Sequence, residues 1–242
     1  MVVLRSSLFN LAFYAYTLAI CLVALPALLL PVEATYAISR VWARGSLFLA
    51  RLFCGIRMEV CGLENQPKEP AIYACKHQSA WETLAFHLLV PRPCYVLKRE
   101  LLFLPLFGIF LWKSGSVAIN RSAGASAIKQ MVRDTKERME THRNNIIIFP
   151  EGTRTSTEST GHPYHPGVAA LYNQLAVPVV PVALNSGLSW GRKAFFKYPG
   201  LVTIEFLPAI PPGMDRKAFL PKLTETIESH SQKLMAEERA RR

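Results

Sequence analysis

Pro70-Ala71-Ile72-Tyr73-Ala74-Cys75 runs straight into Lys76-His77-Gln78-Ser79-Ala80-Trp81-Glu82. The first part is a short apolar run and reads as a buried strand. Past Glu82, the spacing of Leu84, Ala85, Leu88 and Leu89 is helical. A polar loop between a buried strand and a helix is the unit from which α/β proteins are built. Such proteins commonly place reactive groups outside the carboxyl ends of their strands, and His77 stands at that position. On an ideal helix, five residues turn through about 140° and would point His77 and Glu82 apart. With His77 in the loop before the helix, the two can meet. A carboxylate bonded to one imidazole nitrogen fixes the tautomer and leaves the other nitrogen free as a base toward a hydroxyl or thiol. The same residues also fit a helix-capping histidine beside an exposed glutamate.

Outward from this stretch, short apolar runs alternate with helical patterns. Strands are expected over residues 71–75, 94–97, 146–149, 177–184 and 202–207, and helices over 82–89, 101–112, 125–142, 167–175 and 216–238. The alternation predicts a layered α/β domain with a mostly parallel or mixed sheet over residues 58–242. Upstream the character changes. Residues 6–32 carry no charge, and residues 8–30 are almost wholly apolar. About twenty such residues suffice to span a bilayer core. A cleaved signal peptide fits poorly, because the run is too long and no small-x-small site precedes the first charges. Pro26 offers a kink or an early end, after which the segment would dip into one leaflet and return. Over residues 38–53, Arg40, Arg44 and Arg51 fall within about 40° on a helical wheel, with Ile38, Val41, Trp42, Phe48, Leu49, Leu52 and Phe53 across from them. An ordinary amphipathic helix shares that pattern. Next to an apolar anchor, it suits a helix in the membrane interface. Residues 1–57 are therefore expected to form an N-terminal hydrophobic, membrane-anchoring helical segment.

Lys and Arg number 28 against 17 Asp and Glu, a net charge of +11. That excess suits a polyanion or an anionic membrane surface. The bases are scattered, several lie beside apolar runs, and no nucleic-acid reading motif is present, so a nucleic-acid partner is not expected. Arg40 and Arg44 follow the apolar run while only Arg5 precedes it, which by the positive-inside bias places the rest of the chain in the cytoplasm. Cys21, Cys54, Cys61, Cys75 and Cys94 are odd in number, form no Cys-x-x-Cys pair and have apolar neighbours. They read as buried thiols of a reducing compartment rather than a metal site.

Three further stretches put basic groups at strand ends: Lys98-Arg99-Glu100-Leu101, Gly115-Ser116-Val117-Ala118-Ile119-Asn120-Arg121, and Phe149-Pro150-Glu151-Gly152-Thr153-Arg154. Arginine suits phosphate because its planar fork binds two oxygens at once. Each stretch alone is a common turn. Together with His77 and with Val180-Pro181-Val182, in this order, the set resembles the glycerophospholipid acyltransferase family, and within it the bacterial 1-acyl-sn-glycerol-3-phosphate acyltransferases. The resemblance covers residues 58–207. It departs at one point: the family's His-x4-Asp reads His77-x4-Glu82 here.

The resemblance implies transfer of a fatty acyl group from acyl-CoA or acyl carrier protein to the sn-2 hydroxyl of lysophosphatidic acid, giving phosphatidic acid. His77 would be the base and Glu82 its orienting partner, with Ser79 a bystander. Arg121 and Lys98 would bind the acceptor phosphate. Glu151, Gly152, Thr153 and Arg154 would complete that pocket, with Glu151 steadying the arginines. No cofactor or metal is implied. The chain would sit on the bacterial inner membrane with its catalytic domain on the cytoplasmic side. Another acceptor, such as a lyso-ornithine lipid, or a lipid hydrolase using the same base on water, stays open.

Overall fold

The computed structural model describes residues 1–120, 123–158 and 162–242, with Arg216 described by its backbone alone. In chain order the elements are α1 (Val2–Val23), α2 (Val32–Cys54), β1 (Ile56–Cys61), β2 (Ile72–Cys75), α3 (Trp81–Leu89), β3 (Pro93–Lys98), α4 (Phe107–Lys113), β4 (Val117–Ile119), α5 (Gly124–His142), β5 (Asn145–Ile148), α6 (Pro166–Leu175), β6 (Val179–Leu184), β7 (Gly200–Phe206) and α7 (Arg216–Arg241). The seven strands form one sheet in the order β1-β7-β6-β2-β5-β3-β4. Every pairing is parallel except β6 with β7. The expected layered α/β architecture with a mixed sheet is the one found. The centre is β6, β2 and β5, whose residues are buried throughout. Strands covered on both faces read as unbroken apolar runs, which is why the sequence marks them so clearly. Pro181 lies within β6. It falls where the β6–β7 ladder ends: its carbonyl accepts from Leu207 N at 2.9 Å and, lacking an N–H, it returns no bond.

One helix differs from expectation. Residues 101–112 are not one helix: a 3-10 turn spans Arg99–Phe103, and α4 begins only at Phe107. Pro105 lacks an N–H and disfavours helical geometry at Leu104, so the helix restarts beyond it. At the N-terminus, α1 stops at Val23, a 3-10 turn over Leu25–Leu29 contains Pro26, and α2 returns alongside. The two helices are antiparallel. Arg5 Nε donates to Phe53 O at 2.7 Å, Tyr16 OH to Val41 O at 2.9 Å and Trp42 Nε1 to Thr17 Oγ1 at 3.0 Å. Gly45 faces the Tyr16 ring so closely that a Cβ there would collide with it.

The hairpin is not a detachable appendage. Phe9, Ala43, Ala50 and Cys54 belong to the same buried cluster as Trp81, Phe86, Val182 and Phe206. Small side chains on α2 let it lie close against α3. Lys197, in the loop between β6 and β7, ties down α1: its backbone N–H donates to Ser6 Oγ at 3.0 Å and its Nζ to Asn10 Oδ1 at 2.7 Å. The outer side of α1 stays bare, with Leu4, Leu8, Leu11, Leu18 and Leu22 all exposed. Among the described residues, α1 is the one helix long and apolar enough to cross a membrane.

Candidate active site

Parallel neighbours deliver their carboxyl ends to one edge of the sheet. The loops after β2, β5 and β6 therefore meet, with that after β3 beside them. The β2 loop carries His77. Its Nδ1 lies 2.9 Å from Glu82 Oε1. Because a carboxylate only accepts, Nδ1 carries the proton and Nε2 is left with a lone pair. The imidazole stacks on Phe149 with ring centres 3.9 Å apart and 17° between planes. Its side chain is 12% exposed, so one edge remains open to a small reacting group.

Glu82 is fully buried and its carboxylate is surrounded by donors. Oε1 accepts from Gln78 N and Ser79 N, both at 2.7 Å, as well as facing His77. Oε2 accepts from Ser186 Oγ at 2.8 Å, in the loop after β6. Ser79 Oγ meanwhile accepts from Trp81 N at 3.0 Å. Glu82 thus reaches back to the Ser79 amide as in one half of a capping box, while Ser79 Oγ takes the Trp81 amide at the start of α3. One buried carboxylate, not an exposed one, both binds the loop amides before α3 and faces His77. The Ser79 hydroxyl is taken up by the Trp81 amide.

The Phe149–Arg154 stretch serves the histidine as well. His77 N donates to Glu151 Oε2 at 2.7 Å, and His77 O accepts from Thr155 N at 2.8 Å and Thr155 Oγ1 at 3.2 Å. Phe149 backs the ring, while Glu151 and Thr155 grip the backbone on either side. Glu151 is fully buried and pairs with Lys76, 2.6 Å away, rather than with the arginines it is expected to steady. Gly152 makes the turn possible, with φ +66 in the left-handed region and its N–H on Phe149 O at 2.9 Å.

Thr153 and Arg154 are half-buried beside it. Arg154 Nε is buried without a hydrogen-bond partner among the described residues. Lys98 ends β3, is about half exposed, and pairs with Glu100 at 3.0 Å. It stands in register with Ile119 of β4. Arg121 lies outside the described residues. Among the described residues, no group of three or more His, Cys, Asp or Glu is placed to hold a metal ion.

Sequence reasoning did not find Thr155, Ser186 or Lys76. Thr155 adjoins a recognisable stretch and could have been added to it. Ser186 is 104 residues from Glu82 and has no local signal.

The family model described as Acyltransferase matches residues 57–185. A 1-acyl-sn-glycerol-3-phosphate acyltransferase of Pseudomonas aeruginosa is 35% identical over 210 residues, covering 86% of this chain and 81% of the relative. The human 1-acyl-sn-glycerol-3-phosphate acyltransferase beta is 34% identical over 180 residues, which is 73% of this chain and 64% of the relative. Among solved structures, the 1-acyl-sn-glycerophosphate (LPA) acyltransferase PlsC from Thermotoga maritima superposes with a TM-score of 0.79 over 98% of both chains, at 18% identity.

Proposed function

The chain belongs to the acyltransferase family, and from that premise we propose that it acylates the sn-2 hydroxyl of 1-acyl-sn-glycerol 3-phosphate to give phosphatidic acid. The observation that carries the mechanism is the His77 imidazole, held by Nδ1 on Glu82, with no hydrogen-bond partner for Nε2 among the described residues. Nε2 takes the proton of the sn-2 hydroxyl as its oxygen attacks the carbonyl of an acyl thioester. The new C–O bond forms, the tetrahedral intermediate collapses with loss of the C–S bond, and the imidazolium returns its proton to the departing thiolate. Glu82 stabilises that imidazolium and fixes the ring. His77 and Glu82 are thus the proposed catalytic pair.

Arg154, Arg121 and Lys98 hold the acceptor phosphate in this reading, and the buried, unpartnered Nε of Arg154 supports it. Gly152 and Thr153 shape the turn that presents Arg154. Glu151 acts on His77 rather than on the anion. The thioester donor is acyl-CoA or acyl carrier protein. The chain associates with membrane through its apolar N-terminal helix, and the basic residues that follow this helix favour a cytoplasmic catalytic face on the bacterial inner membrane.

The test is product analysis. Purified protein is incubated with acyl-CoA or acylated carrier protein and a panel of lysolipids, and the lipids are resolved. Phosphatidic acid formed from lysophosphatidic acid supports the proposal. Free fatty acid released regardless of acceptor, or acylation only of a lysolipid without phosphate, would overturn it.

A further inference from the structure

Behind His77 lies a buried cluster of charge that touches no reacting atom. Lys76, its neighbour in sequence, is 1% exposed. Lys76 Nζ lies 2.6 Å from Glu151 Oε1, and 2.7 and 2.9 Å from Oε1 and Oε2 of Glu228, on α7. Tyr164 OH donates to Glu228 Oε1 at 2.9 Å. Burial by itself pulls the Lys76 ammonium down. The charge and hydrogen bond of Glu151, then those of Glu228, outweigh it, and the net shift is upward. The lysine is thus a charged post with a carboxylate on either side.

The cluster points at the candidate base. Glu151 Oε1 also accepts from Thr155 Oγ1 at 2.8 Å, and Oε2 accepts from His77 N. The contacts run without a break from Tyr164 through Glu228, Lys76 and Glu151 to the His77 backbone. A buried ion cluster is a weak source of net stability compared with apolar packing of the same volume. What it does supply is direction, because each carboxylate oxygen is fixed by named donors. Without the ammonium, Glu151 would be a buried carboxylate lacking its cation. It would take up a proton or move, and the His77 N–H would lose a charged acceptor.

We propose that Lys76, clamped between Glu151 and Glu228, is a positioning residue for His77, and that α7 is thereby part of the device that aims the imidazole. This rests on His77 being the base. A shift of about 1 Å in a catalytic group costs roughly a hundredfold in rate, while substrate affinity is set elsewhere.

The experiment measures kcat and both KM values of the full-length protein in detergent, for Lys76→Met in the wild-type and His77→Ala backgrounds. In the wild type, kcat is expected to fall about ten- to hundredfold, with both KM values within about threefold. In His77→Ala, where nothing is left to aim, the same substitution should change the residual rate by less than about twofold. A purely structural lysine would lower both backgrounds alike, and that result, or an unchanged kcat, overturns the proposal. If His77→Ala itself retained wild-type turnover, the base assignment would fail separately. Should Lys76→Met not fold, Glu228→Gln decides. It keeps the Lys76–Glu151 contact but removes the second charge, and the proposal requires a lower kcat at unchanged KM; wild-type kcat contradicts it.

Discussion

Glu82 carries one methylene more than the aspartate of the motif it resembles, and the structure gives that reach a partner. Its Oε2 extends to Ser186 Oγ, while Oε1 keeps the loop amides and His77. An aspartate, one methylene shorter, is expected to lose the Ser186 contact. A hydrogen bond to a buried carboxylate contributes about 1.5–3 kcal/mol, so Glu82→Asp is expected to lower kcat roughly tenfold. Ser186→Ala should cost about as much in the wild type and little in the Glu82→Asp protein, where the contact is already gone. Equal losses in both backgrounds would show that Ser186 acts independently of Glu82. Arg154 makes a different prediction. If its orphan Nε holds phosphate, Arg154→Ala should raise the KM for lysophosphatidic acid about ten- to hundredfold and spare that for the thioester, and Arg154→Lys should recover only part, since a point charge lacks the fork. A rise confined to the donor KM would move Arg154 to the donor side. The His77–Glu82 pair was legible in the sequence because both ends of the contact sit in one loop and one turn. Ser186 and Glu228 were not, because their partners are 104 and 152 residues away and only the sheet brings them together.

Among the elements, the α1–α2 hairpin was half legible. The uncharged run announced an apolar helix, and Pro26 marked where it ends. What the pattern did not reveal is that Phe9 and the small residues Ala43 and Ala50 pack into the core of the sheet domain. Removing residues 1–55 should therefore leave an insoluble or unfolded chain rather than a soluble enzyme. A truncated protein with a cooperative melt and wild-type turnover would contradict this. The intact chain should stay with membranes in high salt, because burial of the α1 leucines in lipid is not screened; quantitative release by salt would exclude an apolar anchor. On α3, burial lowers His87 from 6.5 to about 4. As pH falls, the unfolded chain takes up this proton first. The His87 contribution to stability is thus complete above pH 6.5 and drains away between 6.5 and about 4. His87→Phe should flatten the fall in Tm over that window, and parallel Tm curves for the two proteins would refute the assignment. The break at Pro105 was not read from the sequence, because the apolar spacing on both sides of it reads as one continuous helix.

Over the whole molecule, the sheet explains why residues scattered from 76 to 228 converge. β6, β2 and β5 were marked by unbroken apolar runs, and their shared direction brings the loops after them to one edge. β1 was not anticipated, because this edge strand alternates Arg57 and Glu59 with apolar residues and is largely exposed. That β7 runs against β6 leaves no mark in composition. The loop after β2 carries His77, the loop after β5 backs its ring and holds its backbone, and the loop after β6 bonds its partner Glu82; in the proposed function this edge holds the imidazole as a base. The direct test is the initial rate of phosphatidic acid formation by His77→Ala at saturating lysophosphatidic acid and acyl thioester. The variant must first be shown to melt cooperatively and to sediment with membranes like the wild type. Turnover reduced by about two to four decades is the expected result; turnover near that of the wild type would contradict the account.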